Sequence, residues 1–123
     1  MSHKTEHKSE LKTYIIINTD LKMGKGKMCG QCGHAVAAIT RYMEKHPNTN
    51  YRRWIENGET KIVLKSSEEE MRNILMKWGK TIRLFPIFDM GLTQIESGSF
   101  TALGLEPLEA NEIPPEILNL KLL

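Results

Sequence analysis

Short apolar runs alternate along this chain with stretches whose apolar positions fall three and four residues apart. Leu11–Asn18 centres on Tyr14-Ile15-Ile16-Ile17, and its β-branched residues predict a buried strand. From about Gly26 to His46, Met28, Cys32, Ala35, Val36, Ile39, Tyr42 and Met43 form one face of a helix, which Pro47 stops. Asn48–Glu59 is a polar connection with a short helical piece around Tyr51–Ile55. Lys61–Lys65 is a second strand. Ser66 or Ser67 then caps a helix over Glu68–Trp78, whose three leading glutamates suit its positive end and whose C-cap is Gly79. Thr81–Phe88 is a third strand, with Pro86 placing it at an edge or a bulge, and Thr101–Leu105 is a fourth. Asn111 is read as the cap of a short helix over Glu112–Leu118.

The order β-α-β-α-β-β-α predicts an α/β domain with a small mixed sheet covered by helices. Right-handed crossovers make the first three strands run largely parallel. Residues 1–10 are polar and read as a disordered tail, which leaves 11–123 as the domain. In such sheets functional groups gather where strands end. The segments after the first and third strands, Lys22–Lys27 and Asp89–Thr93, therefore share a rim.

Composition changes this picture little: 40% hydrophobic and 26% charged residues are globular proportions. The longest apolar runs are far too short to span a bilayer, and the first residues lack the apolar core of a signal peptide, so the expected compartment is the cytoplasm. Charge placement is more informative. Residues 21–53 carry seven cations (Lys22, Lys25, Lys27, Arg41, Lys45, Arg52 and Arg53) against Glu44 alone, while residues 54–123 carry seven against eleven acids. A basic segment around a candidate site suits a polyanionic substrate, although a solvated helix face gives the same pattern.

Gly24-Lys25-Gly26-Lys27 resembles a phosphate loop only in part. A Walker loop requires a hydroxyl residue where Met28 stands, and the dinucleotide fingerprint requires its third glycine one residue before Gly30. What remains is a helix N-terminus beside cations, which attracts anions. Cys29-Gly30-Gln31-Cys32 at a helix start is open to a redox reading, but two small cysteines on a helix also pack well. A metal reading lacks a second ligand pair at suitable spacing. His34 sits two helical turns past Lys27. Asp89, Thr93 and Thr101 offer a carboxylate and hydroxyls able to orient a water, or simply to close turns.

Together these segments resemble the type 2 peptidyl-tRNA hydrolase family. The resemblance is carried by Asp20-Leu21, by Gly26-Lys27-Met28-Cys29-Gly30-Gln31-Cys32-Gly33-His34-Ala35, by Asp89-Met90-Gly91-Leu92-Thr93-Gln94, and by Ser99-Phe100-Thr101-Ala102-Leu103-Gly104-Leu105-Glu106-Pro107. Leu120-Lys121-Leu122 looks like the family's last strand. The resemblance implies a mixed four-stranded sheet between helices (three layers, α/β/α), frequent homodimers, and hydrolysis of peptidyl-tRNA without a metal or other cofactor. It implies Lys27, Asp89, Thr93 and Thr101 as the catalytic set, with Gln31 and His34 in support. Lys22, Lys25, Arg41, Arg52 and Arg53 would then contact tRNA phosphates. Departures from the pattern are Cys29 and Gly30 for two alanines, Met90 for alanine and Glu106 for glycine. Two other classes fit some of these residues: a noncatalytic tRNA-binding adaptor of the same fold, and a thiol oxidoreductase using Cys29 and Cys32.

Overall fold

The strand β1 (Thr13–Asn18) is buried along its whole length, as a strand must be when helices cover both sheet faces. The computed structural model describes residues 10–90 and 98–123. The tail read as disordered lies outside them except for Glu10, and Thr93 lies outside them too. Side chains of β1 alternate between two cores. Ile15 and Ile17 pack with Met23, Ala35 and Ala102 on the side of α1 (Lys25–Lys45), while Tyr14 and Ile16 pack with Met71 and Ile74 of α3 (Glu68–Trp78). The result is the expected α/β/α layering.

The sheet has five strands, in the order β3-β4-β1-β2-β5, where four were expected. β2 (Lys61–Ser66) pairs parallel to β1, and β4 (Phe100–Leu105) pairs antiparallel to β1. β3 (Leu84–Phe88) pairs antiparallel to β4 and so points the same way as β1 and β2, as the crossover rule predicts. Pro86 is accommodated because β3 is an edge strand. The fifth strand, β5 (Lys121–Leu122), lies in the segment that resembles the family's last strand; it is two residues paired to the far edge of β2, too short for alternation alone to reveal.

Several boundaries move for local reasons. β3 begins at Leu84 rather than Thr81 because the N–H groups of Thr81 and Ile82 turn back to the Trp78 carbonyl. Asn48 accepts from the Tyr51 N–H at 2.8 Å and starts α2 at Thr49, so that helix runs to Glu56. Ser67 caps α3 reciprocally with Glu70, and Gly79 closes it. The expected helix over Glu112–Leu118 is instead a 3-10 turn, Ala110–Glu112, followed by α4 (Pro115–Leu118). Pro114 causes the break, since the residue before a proline avoids helical backbone, and Ile113 is extended.

No helix among the described residues is long and apolar enough to cross a membrane.

Candidate active site

Lys27 reaches the rim because of where α1 starts. The helix begins at Lys25, so Lys27 lies in its first turn and one stripe descends from it: Gln31, Ala35, Ile39 and Met43, all buried against the sheet. Asp89 arrives from the other side. Phe85 and Ile87 of β3 face α1, and the alternation carries Asp89, the first residue past the strand, to the same face. The two meet with Lys27 Nζ 2.8 Å from Asp89 Oδ1, and their side chains are only 7% and 4% exposed. Backbone bonds fix the carboxylate's base: the Asp89 N–H donates to the Ser99 carbonyl at 2.9 Å, and the Asp89 carbonyl accepts from Gly98 at 2.8 Å.

Thr101 joins this face through an irregularity. The β3–β4 register shifts between Ile87, which faces Ala102, and Phe88, which faces Phe100, leaving Thr101 as the extra residue of a β-bulge. Strict alternation from Leu103 and Leu105, which face α3, would send Thr101 to the α3 side. The bulge turns it over, so its hydroxyl stands 2.6 Å from Gln31 Oε1 and 3.2 Å from the Ile87 carbonyl oxygen. Thr101 is fully buried, which suits it to holding Gln31 and the bulge in place rather than touching a substrate.

The remaining residues spread out. His34 is exposed on the helix turn beyond Gln31. Lys22, which follows β1, and Lys25, which opens α1, are exposed on the same rim as Lys27. Arg41 lies fourteen residues along α1 from Lys27, about 21 Å at 1.5 Å per residue. Arg52 and Arg53 are not brought to this rim. They ride on α2, which packs beside Leu11 where the sheet begins, and Arg53 pairs with Glu109 at 2.9 Å.

Comparison with known proteins decides the family. The model of the peptidyl-tRNA hydrolase PTH2 family matches residues 11–123. The chain belongs to that family. It is 35% identical to a peptidyl-tRNA hydrolase of Saccharolobus islandicus over 119 residues, covering 92% of this chain and 99% of that one. It is 38% identical to the mouse mitochondrial peptidyl-tRNA hydrolase 2 over 100 residues and 36% identical to the human one over 115. Those alignments take in 80% and 92% of this chain, but only 55% and 64% of the mammalian proteins.

Of the departures from the family pattern, Gly30 and Glu106 sit away from the buried pair, whereas Met90 directly follows Asp89. Gly30 faces open space on the exposed side of α1, and a Cβ added there meets nothing within 4 Å. Gly30→Ala is therefore expected to stabilise the protein by about 1 kcal/mol, raising Tm by about 3–5 °C in a calorimetric scan. Glu106 follows β4 at the opposite end of the sheet, where it accepts from the Arg83 N–H at 2.9 Å. A hollow of about 300 Å³ lies there too, lined by Tyr42, His46, Lys80, Arg83 and Glu106. That hollow is open and polar, whereas the Lys27–Asp89 contact at the other end of the sheet is occluded from solvent.

Two observations count against the redox reading of the cysteines. Because α1 begins at Lys25, Cys29 and Cys32 are its fifth and eighth residues, beyond the first turn where the helix field acts. Burial pushes the Cys32 thiol up, and neighbouring Cys29 adds to the shift, opposite to what a reactive thiolate requires. Cys32→Ser should leave turnover within about twofold of the parent, and a maleimide should label exposed Cys29 before Cys32.

Two polar residues at this rim carry roles that the pattern reading missed. The buried Asn18 amide donates to the Phe100 carbonyl at 2.8 Å and to Glu68 Oε1 at 3.1 Å, tying the end of β1 to β4 and α3. Asp20 accepts from the Glu68 N–H at 2.9 Å and so supplements the α3 cap. A signal for Asn18 was present, since a polar residue closing an otherwise apolar strand needs partners when buried.

Proposed function

We propose that this chain hydrolyses the ester joining peptide to tRNA, with Lys27 and Asp89 as the reacting pair. The observation that carries the proposal is their 2.8 Å contact, made across 62 residues of sequence at the rim where three strands end. A buried ion pair is a poor device for stability alone, because desolvation offsets most of its attraction.

In this reading Asp89 orients a water and accepts its proton as the water oxygen attacks the ester carbonyl. Lys27 faces the oxyanion that develops. Collapse of the tetrahedral intermediate breaks the bond to the ribose oxygen, which takes the proton from Asp89, releasing tRNA and a peptide whose new carboxyl group gives its remaining proton to solvent. Gln31 and Thr101 are positioning residues that fix the helix stripe against the bulge. His34 lines the approach, and Thr93 supplies a hydroxyl to the water.

Lys22 and Lys25 take the phosphates nearest the ester, Arg41 takes phosphates farther along, and Arg52 and Arg53 meet the body of the tRNA. Counting Lys22, Lys25 and Arg41 as three phosphate contacts, raising salt from about 50 to 200 mM should lower kcat/KM roughly ten- to fiftyfold, and Lys25→Ala should flatten that slope by about one unit. The activity belongs in the cytoplasm on this reading, where translation supplies the substrate. Exposed Leu118, Leu122 and Leu123 around β5 offer apolar surface for the homodimer that the family resemblance implies, which light scattering reads directly.

The deciding experiment is release of labelled peptide from an N-acetylated aminoacyl-tRNA, with EDTA present. Turnover supports the proposal, including its independence of metal. Folded protein that binds tRNA without cleaving it would overturn the proposal in favour of an adaptor.

A further inference from the structure

Two large apolar side chains stay exposed beside Asp89: Phe88 at 46% and Met90 at 81%. The Phe88 ring lies 5.2 Å from that of Phe100, and the Arg72 guanidinium stands 5.2 Å over the Phe100 ring. Arg72 is itself held by Glu68 at 2.8 Å. Phe88 belongs to the α3 face of the sheet, whereas Asp89 belongs to the α1 face, and β3 between them is an edge strand. A substrate whose ester sits at Asp89 can therefore pass round this edge to Phe88.

Charge decides which half of the substrate does so. The α1 side carries exposed Lys25, Arg41 and Lys45, while the α3 side opens with Glu68, Glu69 and Glu70 next to Asp20. Phosphates are drawn to the first and repelled by the second. Glu68 and Arg72 offset each other, so the repulsion there comes from Glu69, Glu70 and Asp20. The peptidyl half has no phosphate, and its side chain nearest the ester is the one that an aromatic and a thioether surface can cover.

We propose that Phe88 and Met90 form the subsite for the side chain of the esterified residue, so that large apolar residues are preferred there and acidic ones disfavoured. This rests on the hydrolase reading and adds the direction in which the substrate lies.

The test compares N-acetyl-Phe, N-acetyl-Gly, N-acetyl-Asn and N-acetyl-Asp, all carried on one tRNA body. The expected kcat/KM for Phe exceeds that for Gly about tenfold, as covering an aromatic ring on a half-open surface allows. Asn should exceed its charged isostere Asp about threefold at low salt, with the gap closing at high salt. Phe88→Ala should bring the Phe-to-Gly ratio towards one, and so should Met90→Ser, whose parent side chain is too exposed to matter for folding. Equal wild-type rates on all four substrates would overturn the subsite while leaving the hydrolase intact. A uniform loss across all four in Phe88→Ala would also overturn it, pointing to the terminal base that they share. Failure to cleave any of them would overturn the hydrolase reading itself.

Discussion

Asp89→Asn is expected to lower kcat for peptidyl-tRNA about a thousandfold, within the range found when a positioned base or an oxyanion partner is removed. The amide keeps the shape of the carboxylate but cannot accept the proton of the attacking water. Lys27→Met should fall by a similar factor because the oxyanion loses its facing charge. The two variants should differ in stability. Lys27→Met leaves the Asp89 charge 4% exposed without its lysine, at a cost of about 3 kcal/mol, whereas Asp89→Asn leaves a lysine whose longer stem can swing its charge outward. The double variant Lys27→Met with Asp89→Asn should recover most of that loss and melt close to the parent while remaining inactive. Such recovery would identify the pair as kept for chemistry rather than for stability. A double variant that melts as low as Lys27→Met would make the pair structural, and single variants with near-parental kcat would remove it from the site. Both quantities come from the same preparations, by thermal melting and peptide release.

Much of this rim was legible in the chain. The apolar run before Asn18, the period of α1 and the apolar run before Asp89 placed Lys27 and Asp89 where strands end, and the capping pattern at Ser66 or Ser67 located α3. Two things were not legible. Strand order was one: β3 lies beyond β4 and does not pair with β1, because the later β4 inserts between them, and no local pattern encodes an insertion made by a later segment. The other was the face of Thr101. Alternation assigns a side by counting, and a single unpaired residue at the Ile87/Phe88 bulge reverses the count. The error at the C-terminal helix was of a different kind, since Pro114 stood in plain view and its restriction on Ile113 was enough to predict the break.

Gly104→Val is expected to destabilise the protein by about 2–3 kcal/mol and to reduce kcat about tenfold or more, although the residue is remote from the chemistry. Gly104 lies in β4 beneath α1. A Cβ built there stands 3.0 Å from Ile39 Cδ1 and 3.5 Å from the Ala35 Cβ. Ala35 and Ile39 belong to the stripe that starts at Lys27 and includes Gln31, so whatever pushes them off the sheet tilts the whole helix face. A single methyl is nearly tolerable, because the end of Ile39 can turn aside, and Gly104→Ala should cost about 1 kcal/mol or less. The two methyls of valine have no such escape towards Ala35, whose Cβ is fixed to the helix backbone. The displacement then reaches Lys27 and Gln31 together, and an error of about 1 Å in a reacting group costs about a hundredfold when it is not relaxed. Trimming the obstacle separates the packing cause from any other: Gly104→Val combined with Ile39→Ala should recover kcat relative to Gly104→Val alone, with a coupling of about 1 kcal/mol or more in the double-mutant cycle. If the two substitutions instead add, α1 does not transmit the strain, and the placement of Lys27 must depend on the rim alone.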